Sequence, residues 1–176
     1  LWGTNTTAIL NHVQDSGKLV TDNQCIGGGS PSHRCTMKYN WLHDSTGLGM
    51  RFDAGEDGKF GDHNNFLLNV AWRDLQGGLA DKSQQSMVFR NTVVGNQGGS
   101  DPEASGPFGA AVDMKIDKCY PAGCVATTGP NRGVPGSGVT NNGSIIRSNV
   151  GTMDPGTTGL GPAELPGTHD HNLNLL

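Results

Sequence analysis

Arg51, His63 and Lys82 are the residues whose types and spacing best suit them for chemistry. Two fixed cations beside an imidazole can hold an anionic group while a proton moves. Asp53 lies close by, and an Asp53–Lys82 ion pair with Arg51 satisfied by carbonyls is the competing, purely structural arrangement. Asp53, Glu56 and Asp57 belong to an acidic, glycine-bearing loop that could hold Ca2+ through carboxylates and carbonyls. The loop lacks the twelve-residue EF-hand pattern, which favours a solvated acidic turn. His43 stands beside Asp44, but strand neighbours point to opposite faces, so this carboxylate is not expected to orient this imidazole. His169 and His171 flank Asp170 and would share one strand face, the geometry of a zinc half-site. No nucleophile motif is present. Gly27-Gly28-Gly29 sits in a cysteine loop, not between a strand and a helix, so it is not a phosphate loop.

Cys25 and Cys35 flank one short loop, and Cys119 and Cys124 flank another. The expected pairing is two local disulfides, Cys25–Cys35 and Cys119–Cys124, in an oxidising compartment. The metal alternative is zinc held by all four thiolates, or by three with His33; neither spacing matches a finger or ribbon. Asn5-Thr6-Thr7 and Asn142-Gly143-Ser144 are sequons that would accept N-glycans on a secreted eukaryotic chain. Trp2, Trp41 and Trp72 could stack on sugar rings if exposed, although corners of a packed stack would also suit Trp41 and Trp72.

What positions these groups is an internal repeat. Five segments are copies of one another: 8–11, 37–40, 66–69, 88–91 and 146–149. Each ends in Asn: Asn11, Asn40, Asn69, Asn91 and Asn149, spaced by 29, 29, 22 and 58 residues. Three residues before each Asn stand Ala8, Met37, Phe66, Val88 and Ile146, and two after stand Val13, Leu42, Ala71, Val93 and Gly151. Such self-similarity with glycine-rich corners and short strands predicts stacked β-coils, about 4.8 Å apart, with the asparagines forming a ladder. Alignment on Asn40 and Asn69 sets Asp53 over Lys82 and Arg51 over Ala80, so the cations would share one region of adjacent coils. The doubled final spacing suggests that Asn91 and Asn149 are separated by an Asn-free coil containing the alternating stretch 112–117, or by a loop, within an irregular insertion, 100–143. Asp170-His171-Asn172 and Leu175-Leu176 repeat Asp62-His63-Asn64 and Leu67-Leu68, so a further coil would start at the C-terminus and be completed by another polypeptide or by missing sequence.

Composition supports one domain over 1–176. Hydrophobic residues make up 34% and charged residues 16%, with 28 glycines, which suits a narrow core better than a helical bundle. The net charge of −4, without a basic run, argues against a nucleic-acid partner. No apolar stretch is long enough for a membrane-inserted helix. The chain begins without Met or a signal peptide, as expected for a mature product or an excerpt of something longer.

The runs 39–45 and 49–53, with Asp62-His63-Asn64-Asn65 and 91–96, resemble secreted right-handed parallel β-helix proteins of the pectin-lyase-like type. The resemblance covers about a third of the chain. It implies an all-β, right-handed parallel β-helix of about six coils, here with two disulfide-pinned excursions. It also implies an extracellular or cell-surface location and a polysaccharide or glycan partner. The expected function is a non-catalytic structural or carbohydrate-interacting module, with other subunits stacking on its open ends. The alternative is a polysaccharide lyase or hydrolase in which Arg51, His63 and Lys82 neutralise a uronate carboxylate and transfer protons. No cofactor is expected beyond a possible role for Ca2+.

Overall fold

The computed structural model describes residues 3–19, 23–28, 32–53, 61–96, 114–116, 143–151, 153–154 and 168–173. These form an all-β protein with wholly parallel strand pairing and no helix among the described residues. One sheet holds six strands: β2 (Thr7–Ile9), β6 (Thr36–Lys38), β9 (Asn65–Leu67), β12 (Met87–Phe89), β15 (Ile145–Arg147) and β17 (Thr168–Asp170). A second holds β3 (His12–Gln14), β7 (Trp41–His43), β10 (Val70–Trp72) and β13 (Thr92–Val94). A third holds β4 (Gln24–Gly28), β8 (Leu48–Phe52), β11 (Gly77–Asp81), β14 (Met114–Ile116) and β16 (Met153–Asp154). β1 (Gly3–Thr4) and β5 (Ser32–His33) form a small fourth sheet. The chain visits the three large sheets in a fixed order, and each strand pairs with its counterpart on the next round.

The core follows from strand alternation. The middle residue of each three-residue strand points inward, giving the buried set Met37, Phe66, Val88 and Ile146 in the first sheet and Leu42, Ala71 and Val93 in the second. Met50, Phe52 and Leu79 complete it from the third sheet, and Phe52 meets Phe66 with ring centroids 4.7 Å apart. Each fully buried large side chain contributes about 2 kcal/mol through desolvation.

Short strands need sharp corners, and the backbone makes them with single left-handed residues five apart. Asn5, Leu10 and Asp15 have φ of 60°, 58° and 57°; Arg34, Tyr39 and Asp44 repeat this at 54°, 55° and 58°. His63, Leu68 and Arg73 follow at 53°, 56° and 55°. None of these nine residues is β-branched, the class that tolerates positive φ least. After each corner comes an inward residue, polar in most rounds, whose side chain serves the neighbouring round. Glycine is required where rounds approach most closely: a Cβ on Gly49 would lie 2.6 Å from the Gly78 carbonyl oxygen.

Three expectations need correction. Of the two separations expected between Asn91 and Asn149, the Asn-free round is excluded and an intervening segment within a single round remains. β12 pairs directly with β15, and Asn91 Nδ2 donates to Asn149 Oδ1 at 3.0 Å. The long 58-residue step therefore belongs to one round, which carries β14 between β11 and β16. Asp170 does not lie over Asp62. It pairs with Arg147, and Asn172 becomes a sixth member of the asparagine column, accepting from Asn149 Nδ2 at 3.0 Å. Asp-His-Asn is a corner motif used at two different corners, with His63 and His171 both left-handed at φ 53° and 51°.

Cys25 and Cys35 are free thiols and not a disulfide. Closeness in sequence did not bring them together, because the chain carries them to different walls. Cys25 lies on β4 with its Sγ 3.9 Å from the Val13 carbonyl oxygen, whereas Cys35 follows the Arg34 corner with its Sγ 3.5 Å from the Gly3 carbonyl oxygen. Cys119 and Cys124 lie outside the described residues. Burial, reinforced by the charge of Asp74, pushes the Cys25 thiol up to about 12, so it stays protonated and unreactive at neutral pH. Cys35 is fully buried, so iodoacetamide at pH 8 should leave both Cys25 and Cys35 unmodified in the native chain and alkylate both after denaturation, as read by peptide mass mapping. A mapped Cys25–Cys35 bridge would overturn the assignment.

Candidate functional site

The outward face of the second sheet carries the richest chemistry. His12 and Trp41 pair across β3 and β7, as do Gln14 and His43. Val70 and Trp72 continue the two rows on β10. Because Leu42 points inward, Trp41 and His43 must both point outward. His12 Nε2 lies 2.8 Å from His43 Nε2. His43 Nδ1 lies 2.5 Å from Asp44 Oδ2, and Arg73 Nη2 donates to the same oxygen at 2.6 Å. The result is a continuous polar chain, His12–His43–Asp44–Arg73, across three rounds.

Rings pack around it. His43 stacks on Trp72 at a centroid distance of 4.2 Å, His12 stacks on Trp41 at 5.2 Å, and the two Trp rings are 5.3 Å apart. His43 is left 8% exposed, while Trp41 remains 52% exposed. The hydrogen bond from Arg73, followed by that from His43, holds the Asp44 carboxyl below its usual range. Asp44 is a corner residue, and its left-handed backbone folds the carboxylate back onto its own neighbour. Alternation alone ruled out this contact; the five-residue spacing of corners was the signal that could have revealed it.

The remaining candidates fall into separate groups. Arg51 Nη2 and Lys82 Nζ each lie 3.1 Å from Asp53, on its two different oxygens. Arg51 pairs with Ala80 in register. His63 sits at another corner and shares Asp62 with His33, at 3.3 and 3.0 Å. Burial opposes ionisation of Asp62, but the hydrogen bonds from His33 and His63 outweigh it and lower its pKa. Glu56, Asp57, Asn142 and Trp2 lie outside the described residues. Asn5 is an exposed corner residue. His171 Nδ1 pairs with Asp170, which Arg147 Nε also holds at 3.2 Å, and His169 lies on β17.

The five asparagines and Asn172 form one hydrogen-bonded column. Nδ2 of each donates to Oδ1 of the next, at 2.8 Å from Asn11 to Asn40, 2.9 Å from Asn40 to Asn69 and 3.0 Å from Asn69 to Asn91. Two further columns stand at the other corners. Ser45 N–H donates to Asp74 Oδ1 and Asp74 N–H to Asn96 Oδ1, both at 2.9 Å. Cys35 N–H donates to Asn64 Oδ1, and Ser86 N–H to Ser144 Oγ, also at 2.9 Å. Compared with known proteins, the chain matches no family model, no curated protein and no solved structure.

Proposed function

We propose that the chain is a non-catalytic module of an extracellular assembly. On this reading its rounds are the coils of a right-handed parallel β-helix of the pectin-lyase-like type, about six in number. The observation that carries the proposal is the one-way asparagine column. Every member donates toward the following round, from Asn11 through Asn149 to Asn172. Asn172 Nδ2 also donates back to the Ile146 carbonyl at 2.9 Å, as the Asn149 amide does to Val88 at 2.8 Å. The same donor-to-acceptor step, in one register, joins each pair of successive rounds. Like coils can continue the column by head-to-tail stacking, which does not close on itself.

Arg51 and Lys82 favour this role over the lyase alternative. Asp53 already supplies the carboxylate that a uronate would bring to them, and His63 is engaged with Asp62. The exposed edge of Trp41, beside His12, is where a glycan partner would lie along the stack. Light scattering across a concentration series of the 176-residue chain tests the assembly. Mass should grow with concentration into elongated particles; a monomer at every concentration would overturn the proposal.

A further inference from the structure

We propose that His12 and His43 form a binding site for a divalent transition-metal ion of the zinc, copper or nickel class. Their Nε2 atoms face each other at 2.8 Å. Two nitrogens this close need either a hydrogen or a metal ion between them, and without metal the pair is an N–H···N hydrogen bond. Asp44 defines the tautomer of one partner: with its carboxylate 2.5 Å from Nδ1, neutral His43 carries its proton there and turns the Nε2 lone pair toward His12. A carboxylate behind an imidazole is the arrangement that orients metal-binding histidines and raises their basicity. Arg73 fixes that carboxylate in turn, at 2.6 Å.

His12 completes the pair by moving its proton to Nδ1, after which two lone pairs converge on one point. An imidazole nitrogen sits roughly 2.0–2.1 Å from zinc, so two ligands at right angles stand about 2.9 Å apart and two at the tetrahedral angle about 3.4 Å. The observed 2.8 Å is close to the first value, but ring centroids 5.1 Å apart set the two nitrogens nearly head-on, so the rings must also pivot to face one ion. The second asks for about half an ångström of opening, which His12 can supply because it is exposed and lies on the outermost strand of its sheet. Among the described residues no third His, Cys, Asp or Glu side chain joins the pair. The remaining coordination positions would go to water or to an oxygen or nitrogen donor from solution. Imidazole ligands select this class of ion over Ca2+ or Mg2+, which take oxygen.

Titration calorimetry of the full chain with ZnCl2, and quenching of tryptophan fluorescence by CuCl2, test the site. Trp41 and Trp72 lie against the two imidazoles, so copper bound there should quench them. His12→Ala should remove one ion per chain from the zinc stoichiometry and abolish the saturable quenching. His12→Gln, which keeps a hydrogen-bond donor toward His43, should do the same and guards against a variant that fails to fold. Asp44→Asn should weaken binding by about 10- to 100-fold. Absence of saturable binding, or zinc stoichiometry unchanged in both His12 variants, would overturn the proposal. None of these readouts depends on whether the chain stacks with other copies.

Discussion

Asn69→Leu is expected to destabilise the protein by about 4 kcal/mol, near the top of the range for a single substitution. Asn69 is fully buried at the centre of the column. Its Oδ1 accepts from Asn40 N–H at 3.0 Å and from Asn40 Nδ2 at 2.9 Å. Its Nδ2 donates to the Met37 carbonyl at 2.9 Å and to Asn91 Oδ1 at 3.0 Å. Leucine fills much the same volume but leaves buried groups on both neighbouring rounds without partners, and each such group costs about 1–3 kcal/mol. Asn172→Leu, at the part-buried end, should cost about 1 kcal/mol. Denaturant midpoints of the two variants provide the comparison. An Asn69→Leu protein within 1 kcal/mol of the wild type would show that the column does not hold the rounds together.

The second large effect has the opposite sign. Asp74→Asn should stabilise the protein at pH 8 by about 3 kcal/mol. Asp74 is fully buried, and its Oδ2 has no hydrogen-bond partner. Elsewhere in the columns an asparagine Nδ2 occupies the corresponding place and donates to a carbonyl 32 residues earlier: Asn40 to Ala8, Asn64 to Ser32 and Asn69 to Met37. The same step from Asp74 reaches Leu42. Burial, together with the nearby charge of Asp44 and against the Ser45 hydrogen bond, pushes the Asp74 carboxyl up from 3.8 to about 7.

The folded state therefore holds this proton to higher pH than the unfolded chain does. Its contribution to stability is complete below pH 3.8 and is lost as pH rises toward 7. Complete burial raises Asp81 to about 6 and adds a decline of the same sign, which the variant retains. Asp44 and Asp62, whose pKa values are lowered, act oppositely, and their contribution disappears as pH falls below 3.8 through their folded values. Denaturation at pH 5 and pH 8 should show a smaller loss in Asp74→Asn than in the wild type. Equal losses would assign the pH dependence to other groups.

The asparagine column was legible in the sequence because one residue type fills every position and the spacing repeats. The inward apolar rows were legible for the same reason, and they show that conserved chemistry matters more than conserved size: Ala8, Met37, Phe66, Val88 and Ile146 differ widely in volume. The two sister columns were hidden because Ser45, Asp74 and Asn96, or Cys35, Asn64, Ser86 and Ser144, hold equivalent places with different side chains. The His12–His43–Asp44–Arg73 chain was hidden by backbone conformation. Nothing about an aspartate announces that it will turn left-handed and bring its carboxylate back to the preceding residue; only its place five residues after Tyr39 and ten after Arg34 does so. Cys25 and Cys35 misled for a related reason, since separation along the chain is a poor measure of distance once the chain has turned several corners.

The one-way column also has an electrical consequence. An α-helix acquires its axial field by aligning peptide dipoles head to tail. This protein, helix-free among its described residues, aligns side-chain amides instead: each turns its carbonyl toward the preceding round and one N–H toward the next, while its other N–H returns to a backbone carbonyl of the preceding round. Their moments add along the stack rather than cancel. The Asn172 end consequently carries partial positive charge and the Asn11 end partial negative charge.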